Sequence, residues 1–187
     1  MKRPLALALI LLATAPIAQA APAPERTSQY TRTDKCRQIE LNEDEGGWSV
    51  QRCPGLAGYR LRLTEGDLRQ NVVVELPRGG ERSLDLAEAT GSGGFSSIGA
   101  SVEWRGSGTG RAFRPDALIL RYSVVEDQER PERPTSYLLT VSLANRRPCV
   151  SAKVRPGPGQ NERARAIVDR PMRCLPRSLL NTRPRVR

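Results

Sequence analysis

The chain has 187 residues, with 30 Lys+Arg against 20 Asp+Glu, four cysteines and no histidine. That length accommodates one domain with tails. The missing histidine removes the commonest general base, nucleophile partner and metal ligand, which argues against most hydrolase triads, catalytic zinc sites and haem sites.

In chain order, the first segment has the layout of a secretory signal. Lys2 and Arg3 precede an apolar run from Leu5 to Ala13, and Ala18-Gln19-Ala20 supplies small residues for cleavage after Ala20. The run is about half the ~20 residues that span a bilayer. No later segment is apolar enough to do so. The expectation is a signal peptide over 1–20 and a mature chain without a transmembrane segment, located in the periplasm or secreted. Residues 21–33 are rich in Pro, Ala and polar side chains and read as a flexible leader. Residues 34–175 read as a disulfide-stapled, β-rich domain, and 176–187 as a basic disordered tail.

Within the domain, Lys35 to Leu41 and Gly47 to Cys53 form a candidate hairpin around Gly46-Gly47. Tyr59 to Leu63 alternates apolar and basic residues, as a strand with one wet face does. Asn71 to Leu76 contains three consecutive valines and predicts a buried strand. Gly79 to Gly99 is rich in glycine and serine and reads as a long irregular connection. Ser101 to Trp104, Ala117 to Val125, Tyr137 to Leu143 and Cys149 to Val154 predict further strands, with Trp104 as a core anchor. Asn161 caps a predicted helix over Glu162 to Arg170, with Ala164, Ile167 and Val168 on one side, and Pro171 stops it. The fold expected is mainly β: a single antiparallel sheet, sandwich or barrel-like domain with one short C-terminal α-helix.

All four cysteines follow the signal, and an even number in an oxidising compartment predicts disulfides. Cys36 and Cys53 are equidistant from the Asp44/Glu45 centre of the first hairpin, which places them opposite each other. Cys149 and Cys174 flank the last strand and the helix. The expected bridges are therefore Cys36–Cys53 and Cys149–Cys174. A zinc site is disfavoured because no C-x-x-C pair is present.

Residues 145–187 carry twelve cations against Glu162 and Asp169, while 21–144 are slightly acidic. This makes Arg163, Arg165, Arg170, Arg173, Arg177, Arg183, Arg185 and Arg187 candidate anion-binding residues. The partners expected are an envelope protein or an anionic envelope lipid surface; nucleic acid is poorly placed to meet an exported protein. A plainer reading also stands. Arginine outnumbers lysine 27 to 3 in a chain rich in Ala, Gly and Pro, as a GC-rich genome yields without selection for binding.

No spacing points to a catalytic, cofactor or metal site. The Glu43-Asp44-Glu45 cluster lacks the alternation of a calcium loop. Ser151 and Lys153, two apart on a strand, would share a face and could form a serine–lysine pair.

Tyr30-Thr31, Asp34-Lys35-Cys36, Asp44-Glu45-Gly46-Gly47-Trp48 and Arg52-Cys53-Pro54-Gly55 form one set of motifs. Ser97-Ile98-Gly99, Val102-Glu103-Trp104-Arg105, Leu118-Ile119-Leu120-Arg121-Tyr122, Cys149-Val150 and Asn161 to Asp169 complete it. Together these residues resemble a group of small exported, periplasmic Gram-negative bacterial proteins with no assigned activity. The resemblance covers most of residues 30–174. It implies export and a two-bridge framework and brings no catalytic residue. The functional expectation is a non-enzymatic envelope protein acting as a binding or inhibitor module. The alternatives are a small cell-wall hydrolase, or a structural protein docking on an anionic envelope surface through its basic C-terminal region.

Overall fold

The computed structural model describes residues 25–44 and 46–175. The signal segment, residues 21–24 of the expected leader, and the basic tail with Arg177, Arg183, Arg185 and Arg187 lie outside the described residues.

Among the described residues ten strands and two α-helices follow in chain order: β1 (Arg26–Arg32), β2 (Arg37–Asn42), β3 (Trp48–Cys53), β4 (Arg60–Gly66), β5 (Arg69–Glu75), β6 (Glu81–Ser83), α1 (Leu86–Thr90), β7 (Ser96–Ser107), β8 (Arg114–Val124), β9 (Thr135–Ser142), β10 (Cys149–Val154) and α2 (Gln160–Val168). They build one mixed, largely antiparallel ten-stranded sheet. The sheet has two wings. In one, β10, β9, β8 and β7 run side by side and β1 pairs with β7; in the other, β5, β4, β3 and β2 do so and β6 pairs with β5. A single parallel rung, Arg69 with Ser96, joins them.

The alternating strands turn one face inward from each wing. Leu61, Leu63, Val72 and Val74 of one meet Val102, Trp104, Leu118, Leu120, Tyr122, Leu139 and Val141 of the other in a common core. On the far side of the β7–β10 wing, Ala117, Ile119, Leu138 and Val154 are covered by Ala164 and Val168 of α2. Tight turns fit the sequence. Asp67 and Leu68 both adopt positive φ between β4 and β5, the conformation of a two-residue hairpin. Gly106 crosses Pro115 so closely that a Cβ would meet the Arg114 carbonyl at 2.1 Å.

Both expected disulfides are present, Cys36–Cys53 and Cys149–Cys174. Three boundaries differ from the sequence reading. Residues 26–32, read as leader, form β1, a strand in register with β7 from Arg26↔Ser107 to Arg32↔Ser101. The Gly79 to Gly99 connection contains β6, α1 and the start of β7. Leu84, Leu86 and Ala89 are buried there, and Asn71 Oδ1 accepts the Leu86 N–H. Finally, α2 starts at Gln160 with Gly159 as its left-handed N-cap, so Asn161 is not the cap. Gln160 anchors the helix start instead, donating to the carbonyls of Ser136 and Val154.

Candidate functional site

Leu61 and Leu63 of β4 enter the core, so Arg60 and Arg62 stand on the opposite face. The ladder carries this row across the wing: Arg37 is in register with Arg52, and Arg52 with Arg62. Three arginines therefore lie side by side on three neighbouring strands, which are ~5 Å apart. Like charges opposed on adjacent strands repel. Glu75 is shared between two of them, its Oε1 3.4 Å from Arg52 NH2 and 3.3 Å from Arg62 Nε. Glu81 pairs with Arg62. Arg37, Arg60 and Lys35 have no ion pair among the described residues. Arg52 Nε and Arg62 Nε are buried without a hydrogen-bond partner, Glu75 being near the latter without hydrogen-bond geometry. A buried donor left unsatisfied is costly.

A groove of about 430 Å³ opens at the end of this row, lined by Lys35, Arg37, Arg52 and Arg60 together with Pro54 and Tyr59. Among the described residues no carboxylate lines it. Cys53 of the Cys36–Cys53 bridge and Gly55 and Gly58 of the loop that follows also line it. Tyr59 is half-buried, its ring 6.1 Å from that of Trp104. Burial pushes its phenol pKa up, opposed in part by the charge of Arg146. A second cleft, about 440 Å³ between β6 and β10, is lined by both signs of charge: Glu81, Asp85 and Glu88 against Arg82 and Arg147. It offers no comparable one-sign field.

The C-terminal arginines singled out from composition do not converge among the described residues. Arg163 donates to the backbone carbonyls of Pro158 and Arg155. Arg165 forks onto Glu103, 2.8 and 3.1 Å from its two oxygens, and reaches the Tyr30 hydroxyl at 3.0 Å. Arg170 and Arg173 are exposed. Half of the described quartet is thus spent holding α2 and its entry turn in place.

Ser151 and Lys153 are also separated. A bulge between Val150 and Ala152 reverses the parity of β10. Ser151 Oγ consequently faces α2, meeting Thr140 Oγ1 at 2.8 Å and Met172 Sδ at 3.3 Å. Lys153 points to the other face, where Nζ donates to the Thr90 carbonyl at 2.5 Å and lies 4.9 Å from the Tyr137 ring centre. Burial, then the charge of Arg155, lowers the Lys153 pKa, but Ser151 is not placed to use it. The shared face expected from two-residue spacing is overturned by that one extra residue.

The arginine row was missed by composition because its members are scattered over 26 positions that carry no net charge. Its signal was present in the hairpin symmetry. If Cys36 opposes Cys53, then Arg37 opposes Arg52.

Compared with known proteins, the chain matches no family model, no curated protein and no solved structure.

Proposed function

We propose that the protein is an exported, non-enzymatic binding module that holds an anionic partner against the arginine face of β2, β3 and β4. The observation that carries this reading is the in-register row Arg37, Arg52, Arg62, ending in a groove with four cations and no lining carboxylate. Carboxylates balance part of this face, Glu75 standing in register with Arg60 and lying 3.4 and 3.3 Å from Arg52 and Arg62, but among the described residues none lines the groove, where one sign of charge is left. Export is supported by the signal layout and by two disulfides, which persist in oxidising compartments. The partner is an acidic envelope protein or an anionic envelope surface.

The test compares three forms of residues 21–187: unaltered, Arg37→Gln/Arg52→Gln/Arg60→Gln, and lacking residues 176–187. Binding to a poly-glutamate peptide and to anionic vesicles is measured at low and high salt. Attraction through exposed cations weakens as salt screens it. The groove substitutions should abolish the salt-sensitive binding and the tail deletion should leave most of it. The reverse pattern would transfer the function to the C-terminal region.

A further inference from the structure

We propose that the groove beside the Cys36–Cys53 bridge takes a phosphomonoester, its phosphate on Arg37, Arg52, Arg60 and Lys35 and its organic part against Pro54 and Tyr59. This rests on the anion-binding reading above and specifies its ligand.

One guanidinium fork satisfies both oxygens of a single carboxylate. The groove gathers three guanidiniums and an ammonium from β2, β3, β4 and the turn before β2, which is more than a monocarboxylate can neutralise. A phosphomonoester brings about −1.5 to −2 charges and three strong acceptor oxygens, so it can accept from several forks together. Arginine is the side chain suited to that planar, multidentate recognition, and lysine adds a point charge.

Arg52 is only partly committed. It lines the groove with its side chain 41% exposed, and among the described residues its ion pair is with Glu75, NH2 3.4 Å from Oε1. Glu75 is itself divided between Arg52 and Arg62, so it cannot discharge the row. Size supplies the last element. At about 430 Å³ the groove is within the range of small-molecule sites and much larger than a bare phosphate. Pro54 and the half-buried Tyr59 ring form the apolar part of its wall.

The test is calorimetric titration of residues 21–187 with glycerol 1-phosphate, with succinate and acetate as carboxylate probes. Arginine Nε–H resonances are followed by NMR. Glycerol 1-phosphate should bind more tightly than either carboxylate and shift the Arg52 Nε–H signal. Arg37→Gln/Arg60→Gln, two exposed positions, should weaken it at least tenfold with an unchanged circular dichroism spectrum. Arg170→Gln/Arg173→Gln should leave it unchanged. Phosphatidate vesicles that bind and are displaced by glycerol 1-phosphate would place the group on a lipid; absence of vesicle binding would place it on a soluble ester. Succinate binding as tightly as the phosphate, or a groove variant that binds normally, overturns the proposal. If poly-glutamate binds through the groove and glycerol 1-phosphate does not, this inference falls and the broader reading stands. If neither binds, both fall.

Discussion

A carboxylate on a covered sheet face loses solvation, and Glu103 on β7 is 8% exposed. Desolvation pushes its pKa up. Hydrogen bonds from Arg165 and Ser28, with the charges of Arg165 and Arg105, outweigh that and hold it below the usual glutamate range. Asp169 is held below the aspartate range first by its hydrogen bond from Arg105 and then by that from Arg26, against some desolvation. For a group whose folded pKa is depressed, the stabilisation is present above the unfolded pKa and is lost as pH falls through the folded one. Stability is therefore expected to hold from neutral pH down to about pH 5 and to decline below about pH 4, where ordinary carboxylates protonate. Glu103→Gln should lower stability at neutral pH by roughly 1–3 kcal/mol, because Arg165 and Ser28 lose a charged acceptor. It should also flatten the acid limb. Thermal melts of both proteins from neutral to acid pH check this, and parallel acid limbs would exclude Glu103 as a contributor.

At the scale of elements, α2 is the piece most dependent on its surroundings. Nine residues make a helix too short to persist alone. Its Ala164 and Val168 are buried on the β8–β10 face, and Arg105 and Arg26 grip Asp169 just past its end. Beyond it, the Cys149–Cys174 bridge ties the chain back to β10, and the Leu175 N–H donates to the Val150 carbonyl. Replacing both cysteines by serine should cost about 2–5 kcal/mol. Amides of α2 should then exchange faster than those of β8 and β9, as hydrogen-exchange mass spectrometry would show; equal protection would mean the bridge does not hold the helix. The sequence made these elements unequally visible. β8 and β9 run for 11 and 8 residues rich in apolar and aromatic side chains, long enough to be read as strands. β6 and α1 have three and five residues, too few for any period, and their place is set by burial of Leu84 and Leu86 and by the Asn71 side chain. The candidate site divides the same way. Arg37 opposite Arg52 follows from the cysteine pairing, but joining Arg62 to the row depends on how β4 returns beside β3 after the Pro54 to Tyr59 loop. Only long-range packing decides that.

For the whole molecule, the decisive closure is made by the strand that composition marked as leader. Composition is a local property, whereas the partners of β1 lie far along the chain: Trp104 Nε1 donates to Thr31 Oγ1 at 2.8 Å across 73 positions, and Ser28 Oγ donates to Glu103 across 75. Arg26 reaches Asp116, Asp169 and the Val168 carbonyl, so β1 also connects β8 to the end of α2. On its inner side, Trp104 is fully buried and its indole N–H depends on Thr31. Thr31→Val should therefore cost about 1–3 kcal/mol, the penalty of one unsatisfied buried donor. Removing residues 21–32 should do more, because it bares the β7 edge from Ser101 to Ser107. An unpaired edge of that length templates pairing with another chain. The truncated protein should unfold at lower denaturant and associate on size-exclusion chromatography. A synthetic peptide of residues 21–34 added in trans should restore the missing strand and with it the monomer. If the truncated chain remains monomeric with an unchanged denaturation midpoint, β1 is an accessory to the sheet, and the wing of β7 to β10 closes without it.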